Sequence, residues 1–176
     1  SALEFMTHAD YFRLSKNGIT VSTVGPSPDR IRLMAFMPAR LAWSIHAAND
    51  ALRKLLVPST RHTLIELRDA FNDVLRSRPR NRGSLLVEVT LIDGLNDQTE
   101  HADELLELIK PLLGYTKVNL IPYNENQGLG IGSKLFQPSP PDAVLAYQQR
   151  IMAAGFLCTK RMTRADAENS ACGQLA

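Results

Sequence analysis

Cysteine is scarce in this 176-residue chain: only Cys158 and Cys172. Two thiols exclude a disulfide framework, and they are too few to hold a zinc ion or an iron-sulfur cluster by themselves. Charge of one sign is also lacking. Twenty basic side chains stand against eighteen acidic ones, a formal +2, so no basic surplus marks a nucleic-acid binder and any RNA contact rests on local patches. No apolar run approaches the roughly 20 residues that cross a bilayer, and the N-terminus lacks the zones of a signal peptide. A soluble, cytoplasmic protein is expected, with an organellar matrix as the other compartment. Its four histidines, His8, His46, His62 and His101, show no metal-ligand spacing.

What is present is ordinary globular composition, 44% hydrophobic and 22% charged, enough for one domain with a core. Strand-like and helix-like segments alternate, as in a parallel sheet with crossover helices. Strands are expected near Ile19–Thr23, Arg40–Ile45, Leu85–Ile92, Lys117–Pro122 and Phe156–Arg161. Apolar residues at three- and four-residue spacing predict helices over Asn49–Leu56, Thr63–Arg76, Glu100–Leu113 and Pro141–Ala154. For the third helix, Asp97 is the expected cap, with Glu100 reaching back to it and Gly114 closing the far end. Loops are expected at Gly25–Asp29, Arg76–Gly83 and Asn124–Pro141.

Four strands end in polar residues: Ser22 and Thr23, Ser44 and His46, Asp93 and Asn96, Asn119 and Asn124. In parallel α/β folds ligands collect at the C-terminal strand ends, so these residues are the expected site lining. Five strands fall short of a closed barrel of eight, which needs about 250 residues. The residues alone predict an α/β domain, an open or partial barrel, with a polar ligand site.

Four segments, in order, resemble the RlmN/Cfr family of radical-SAM methyltransferases: Ile19–Gly25 (ITVSTVG), Ala42–Asp50 (AWSIHAAND), Val118–Asn124 (VNLIPYN) and Ala171–Ala176 (ACGQLA). A fifth, Asp93–Asp97 with Glu100–Ala102, matches the family's loop and helix start. The chain departs from the family at Arg164–Glu168 (RADAE) and at Ala48, where a proline is usual. The resemblance implies a partial (β/α)6 barrel, with residues 1–176 forming one domain, the C-terminal part of the core. On that scheme the cluster-binding strands and an N-terminal RNA-binding region are expected to lie outside this sequence.

It further implies S-adenosyl-L-methionine contacts at Ser22, at Ser44, Ile45 and His46, and at Asn124. Cys172 is implied to be the catalytic methyl carrier, acting as a thiolate because the neutral thiol is a poor nucleophile. The implied reaction methylates an adenine ring carbon, carbon 2 as the first choice and carbon 8 as in Cfr-type members, of ribosomal RNA and, in some members, transfer RNA. It uses an iron-sulfur cluster, an electron donor and a second cysteine that closes a disulfide onto Cys172 to release product. The alternative is a cluster-free paralogue that binds S-adenosyl-L-methionine or RNA without catalysis. Taken alone, the 176 residues are expected to be inactive and to self-associate through the uncovered strand Ile19–Thr23.

Other features have plainer readings. Cys158 is expected to pack in the core, and His101 to be solvated. Gly128–Ser133 lacks the Gly-Lys-Ser/Thr ending and the following helix of a phosphate loop and reads as a loop. Arg76, Arg78, Arg80 and Arg82 form a basic run that reads as a solvated face or an RNA contact, and Lys160, Arg161 and Arg164 are the better RNA candidates because they neighbour Cys172.

Overall fold

The computed structural model describes residues 2–15, 18–79, 83–123 and 136–161. Helix α1 spans Ala2–Thr7. The alternating part then runs β1 (Thr20–Thr23), α2 (Pro28–Leu33), β2 (Arg40–Ser44), α3 (Asp50–Leu56), α4 (Leu64–Ser77), β3 (Leu85–Leu91), α5 (Thr99–Ile109), β4 (Thr116–Pro122), α6 (Pro141–Ala153) and β5 (Leu157–Lys160). All five strands pair in parallel in the order β1-β2-β3-β4-β5. Parallel neighbours require a crossover between them, which the helices supply.

The sheet has one apolar and one polar face. β3, Leu-Leu-Val-Glu-Val-Thr-Leu, alternates buried and half-buried along its whole length, so Leu85, Val87, Val89 and Leu91 point one way and Leu86, Glu88 and Thr90 the other. The apolar side joins Leu41, Trp43 and Ile45 of β2 and its end, Val118 and Leu120 of β4, and Cys158 of β5 in a single core. Helices α4, α5 and α6 cover it with Leu67, Phe71 and Val74, with Leu105 and Ile109, and with Tyr147 and Ile151. Trp43 lies against Phe71 with ring centroids 5.0 Å apart. Each such side chain removed from water contributes about 1.5–3 kcal/mol.

Local signals set the helix starts. Thr63 and Glu66 form a reciprocal capping box at α4: Glu66 N–H donates to Thr63 Oγ1 at 3.3 Å, and Thr63 N–H to Glu66 Oε2 at 2.8 Å. Helix α2 begins inside the expected Gly25–Asp29 loop, because Ser27 caps it and Pro28 occupies its first turn.

The start of α5 corrects the expectation. Its N-cap is Gln98, whose N–H donates to His101 Nδ1 at 3.2 Å, so His101 is a half-buried part of the cap and not a solvated side chain. Asp97 is buried instead, accepting from Gly94 N–H at 3.1 Å and from Gln98 Nε2 at 2.9 Å. The tight turn after β3, with Gly94 at φ +64°, draws the Asp97 carboxylate inward and moves the helix start on. Gly114, at φ +90°, follows the end of this helical stretch as expected.

Arg78 is neither a solvated cation nor free for RNA. It is 6% exposed and donates to the carbonyls of Met37 and Ala39, tying the end of α4 to the segment before β2. Arg80, Arg82, Gly128–Ser133 and Arg164 lie outside the described residues. Among the described residues no helix is long and apolar enough to cross a membrane.

Candidate functional site

The polar face of the sheet carries the site. Register aligns Ser44 of β2 with Glu88 of β3, Glu88 with Asn119 of β4, and Asn119 with Thr159 of β5. One row of polar side chains therefore crosses four strands. Central strands of a parallel sheet are ordinarily apolar on both sides, so this row is a departure that ordinary packing does not call for. Ser22 joins it from β1. Its Oγ lies 2.9 Å from Ser44 Oγ and 3.0 Å from Glu88 Oε2, while Ser44 Oγ lies 3.3 Å from the same carboxylate oxygen. At the other end of the row Thr159 Oγ1 donates to Asn119 Oδ1 at 2.9 Å.

His46 follows the end of β2 in the left-handed region, φ +60°, which a side chain with a Cβ adopts at a cost of about 1–2 kcal/mol. Hydrogen bonds hold it there. Thr90 N–H donates to His46 Nδ1 at 3.2 Å, and Asn96 Nδ2 donates to the His46 carbonyl at 2.7 Å. With Nδ1 accepting, the neutral ring carries its proton on Nε2, which has no partner among the described residues. Burial, and then the Arg53 guanidinium, hold this histidine below its ordinary pKa, with Glu88 opposing.

Arg53 is wholly buried in α3. It donates to Thr60 Oγ1 at 2.6 Å and to the Val24 carbonyl, which fixes the chain leaving β1 beside the site. Burial lowers its pKa, and the nearby Asp50 carboxylate opposes that.

The structure thus brings together three of the expected contacts, Ser22, Ser44 and His46, on adjacent strands. Ile45 contributes differently: its side chain is fully buried in the core, and its N–H donates to the Glu88 carbonyl at 3.0 Å, which sets the backbone between Ser44 and His46. Asn124 and Cys172 lie outside the described residues. Glu88 was missed. The signal was there, a lone acidic residue inside an apolar strand, but only strand register shows that it meets two serines from other strands. Cys158 is buried as expected, and burial pushes its thiol up to about 12, far from a reactive thiolate. It is the one free cysteine among the described residues.

Two groups can be tested for fit. The acceptor-rich cluster Ser22–Ser44–Glu88, with the His46 Nε2–H nearby in sequence, suits the hydroxyl and amino groups of S-adenosyl-L-methionine. An iron-sulfur cluster does not fit: two cysteines cannot give three thiolate ligands, and no group of three metal-ligating side chains occurs among the described residues.

No family model matches the chain. It is 36% identical, over 99% of its own length, to the dual-specificity RNA methyltransferase RlmN of Psychrobacter arcticus, and it spans 42% of that relative. Among solved structures it superposes on a radical SAM methyltransferase from Sphaerobacter thermophilus with a TM-score of 0.77 and 30% identity, covering 91% of this chain and 45% of that one. A domain of pyruvate-formate lyase-activating enzyme from Bacteroides vulgatus shares the fold alone, with a TM-score of 0.63 and 12% identity over 81% of this chain and 80% of that one. The ordered polar motifs, the five parallel strands and these likenesses agree: over nearly its whole length the chain is similar in sequence to an RNA methyltransferase of the RlmN type and in fold to a radical SAM methyltransferase, and it spans less than half the length of either.

Proposed function

We propose that this chain forms the C-terminal part of the catalytic barrel of a radical-SAM RNA methyltransferase, one that acts on adenine carbon 2 in ribosomal and transfer RNA with Cys172 as methyl carrier. The observation that carries the reading is the Ser22–Ser44–Glu88 cluster with His46 beside it, at the strand positions where the family's cofactor contacts are expected. S-adenosyl-L-methionine, when bound, supplies the methyl group and, on one-electron cleavage, the radical. The chain's own residues bind and orient. Ser22, Ser44 and Asn124 take polar groups of the cofactor, His46 offers its Nε2–H while held neutral, and Arg53 keeps the chain after β1 in place. Lys160 and Arg161, exposed at the end of β5, are the proposed contacts to RNA phosphate. A cytoplasmic location and an external electron donor belong to the same proposal.

The second reading, a cluster-free binder, rests on the cysteine count. Anaerobic reconstitution with iron and sulfide separates the two. These 176 residues alone are expected to show no cluster absorbance and to leave RNA unmethylated; either signal overturns that expectation. In a longer polypeptide that does hold a cluster, mass spectrometry is expected to find methylated adenine, and a methyl group on the Cys172 peptide. A cluster-loaded protein that methylates RNA equally well with Cys172→Ala would overturn the assignment of Cys172.

A further inference from the structure

The cluster on the polar face contains two hydroxyl protons for three contacts. Both serine hydroxyls point at the same carboxylate oxygen, which accepts from them, so the chain of donation from Ser22 and Ser44 ends on Glu88 Oε2. Both serine protons are therefore used inside the cluster, whichever serine donates to the other across their 2.9 Å contact. What remains facing outward is acceptor capacity alone: lone pairs on the serine oxygens, and Glu88 Oε1, which has no hydrogen-bond partner among the described residues.

Such a surface rejects a ligand's carboxylate or phosphate and takes its donors. A single donor would leave part of the fork unmatched. Two adjacent hydroxyls can bond in parallel to Oε1 and to a serine oxygen, as paired donors do on a carboxylate. On this ground, and resting on the cofactor reading above, we infer that Glu88 is a further cofactor-binding residue whose carboxylate, with Ser22 and Ser44 oriented by it, receives the ribose diol of the bound nucleoside. The same arrangement explains why a carboxylate sits in the central strand of a parallel sheet, where an apolar side chain would otherwise stabilise more.

The test is equilibrium binding of S-adenosylhomocysteine, adenosine and 2′,3′-dideoxyadenosine to the full-length protein and to Glu88→Gln, with thermal melting to show that both are folded. Wild type is expected to bind adenosine more tightly than the dideoxy compound. Glu88→Gln is expected to lose about 10–100-fold in affinity for S-adenosylhomocysteine and adenosine, as for lost hydrogen bonds to a charged group, and to bind the dideoxy compound as wild type does. Unchanged affinity for S-adenosylhomocysteine in the variant, or an equal loss for the dideoxy compound, overturns the inference and leaves the cofactor reading standing. Failure of wild type to bind S-adenosylhomocysteine at all overturns the cofactor reading, and this inference with it. If Glu88→Gln does not fold, the wild-type comparison of adenosine with its dideoxy analogue still decides, since equal affinities refute a diol contact.

Discussion

Asn96 fastens His46 to the central strand. Its Nδ2 donates to the His46 carbonyl and to the Thr90 carbonyl, each at 2.7 Å, and its Oδ1 accepts from Ile92 N–H at 2.7 Å. The side chain is 1% exposed, so no water replaces these bonds if they are lost. One amide thus sets both the end of β3 and the left-handed turn that presents the imidazole.

Truncating that amide leaves three backbone groups without this partner, the buried Ile92 N–H and the part-buried carbonyls of His46 and Thr90. Asn96→Ala is expected to destabilise the fold by about 3 kcal/mol or more in urea unfolding, and to weaken S-adenosylhomocysteine binding beyond the loss of stability. Asn96→Asp keeps the acceptor and loses both donors, so its cost is expected to be comparable. A change below about 0.5 kcal/mol, the size of an ordinary surface substitution, would refute the clamp.

His46 makes stability depend on pH. Its folded pKa is below the ordinary 6.5, from burial first and the Arg53 guanidinium second, against the Glu88 carboxylate. The unfolded chain therefore binds more protons than the folded one below that value, and stability rises with pH. The contribution is complete above 6.5 and is lost as pH falls from there toward the folded pKa. Protonation also places a second N–H on Nδ1, facing the Thr90 N–H that it now accepts. His46→Gln offers Thr90 an acceptor that does not titrate. Between about pH 7.5 and pH 5.5 it is expected to lose less stability than wild type in denaturant titrations. Equal losses would count against the histidine.

Gly25 follows β1 at φ +83°, and a Cβ there would lie 3.2 Å from Leu67 Cδ1 and 3.4 Å from Trp43 Nε1. Strain and crowding act together. Gly25→Ala is expected to cost about 1–3 kcal/mol, measured by thermal melting, with a displaced tryptophan emission because the indole is the neighbour touched. A variant as stable as wild type, with unchanged emission, would contradict this packing.

Cys158 is expected to resist alkylation in the folded protein at mildly alkaline pH, since burial leaves almost no thiolate, and to react promptly in denaturant. Peptide mapping after brief iodoacetamide treatment gives the answer. Fast labelling of Cys158 in the native state would refute its place in the core.

Among the described residues β1 pairs only with β2, so its outer edge has free hydrogen-bonding groups. These 176 residues in isolation are expected to self-associate through that edge. Light scattering should show a concentration-dependent rise in mass, and Thr20→Pro, which removes an outward-facing donor from the edge, should reduce it. A strict monomer at all concentrations would exclude pairing there.

How much of this was legible in the sequence depended on whether the cause was local. Strand β3 was readable because its side chains alternate, and α4 because its apolar positions recur at helical spacing. The Ser27–Pro28 start of α2 is a local cap signal, but a helix of one and a half turns has too few apolar positions to show a period. Asp97 was misplaced for a different reason. An aspartate before a helix serves equally as a cap or as a bond to the preceding turn, and only the Gly94 turn decides between them. Arg78 looked like surface charge because its acceptors, the carbonyls of Met37 and Ala39, lie about forty positions away, too far for any local pattern to reveal.

By itself, then, the sequence determined the alternation of strands and helices, the apolar face of each, and the ordered motifs that mark the family, because period and short-range hydrogen bonding are written in adjacent residues. Only the tertiary structure decided the site. Ser22, Ser44 and Glu88 are brought within hydrogen-bond reach by parallel register between strands 22 and 44 positions apart, and that register is fixed by the whole core packing behind the sheet.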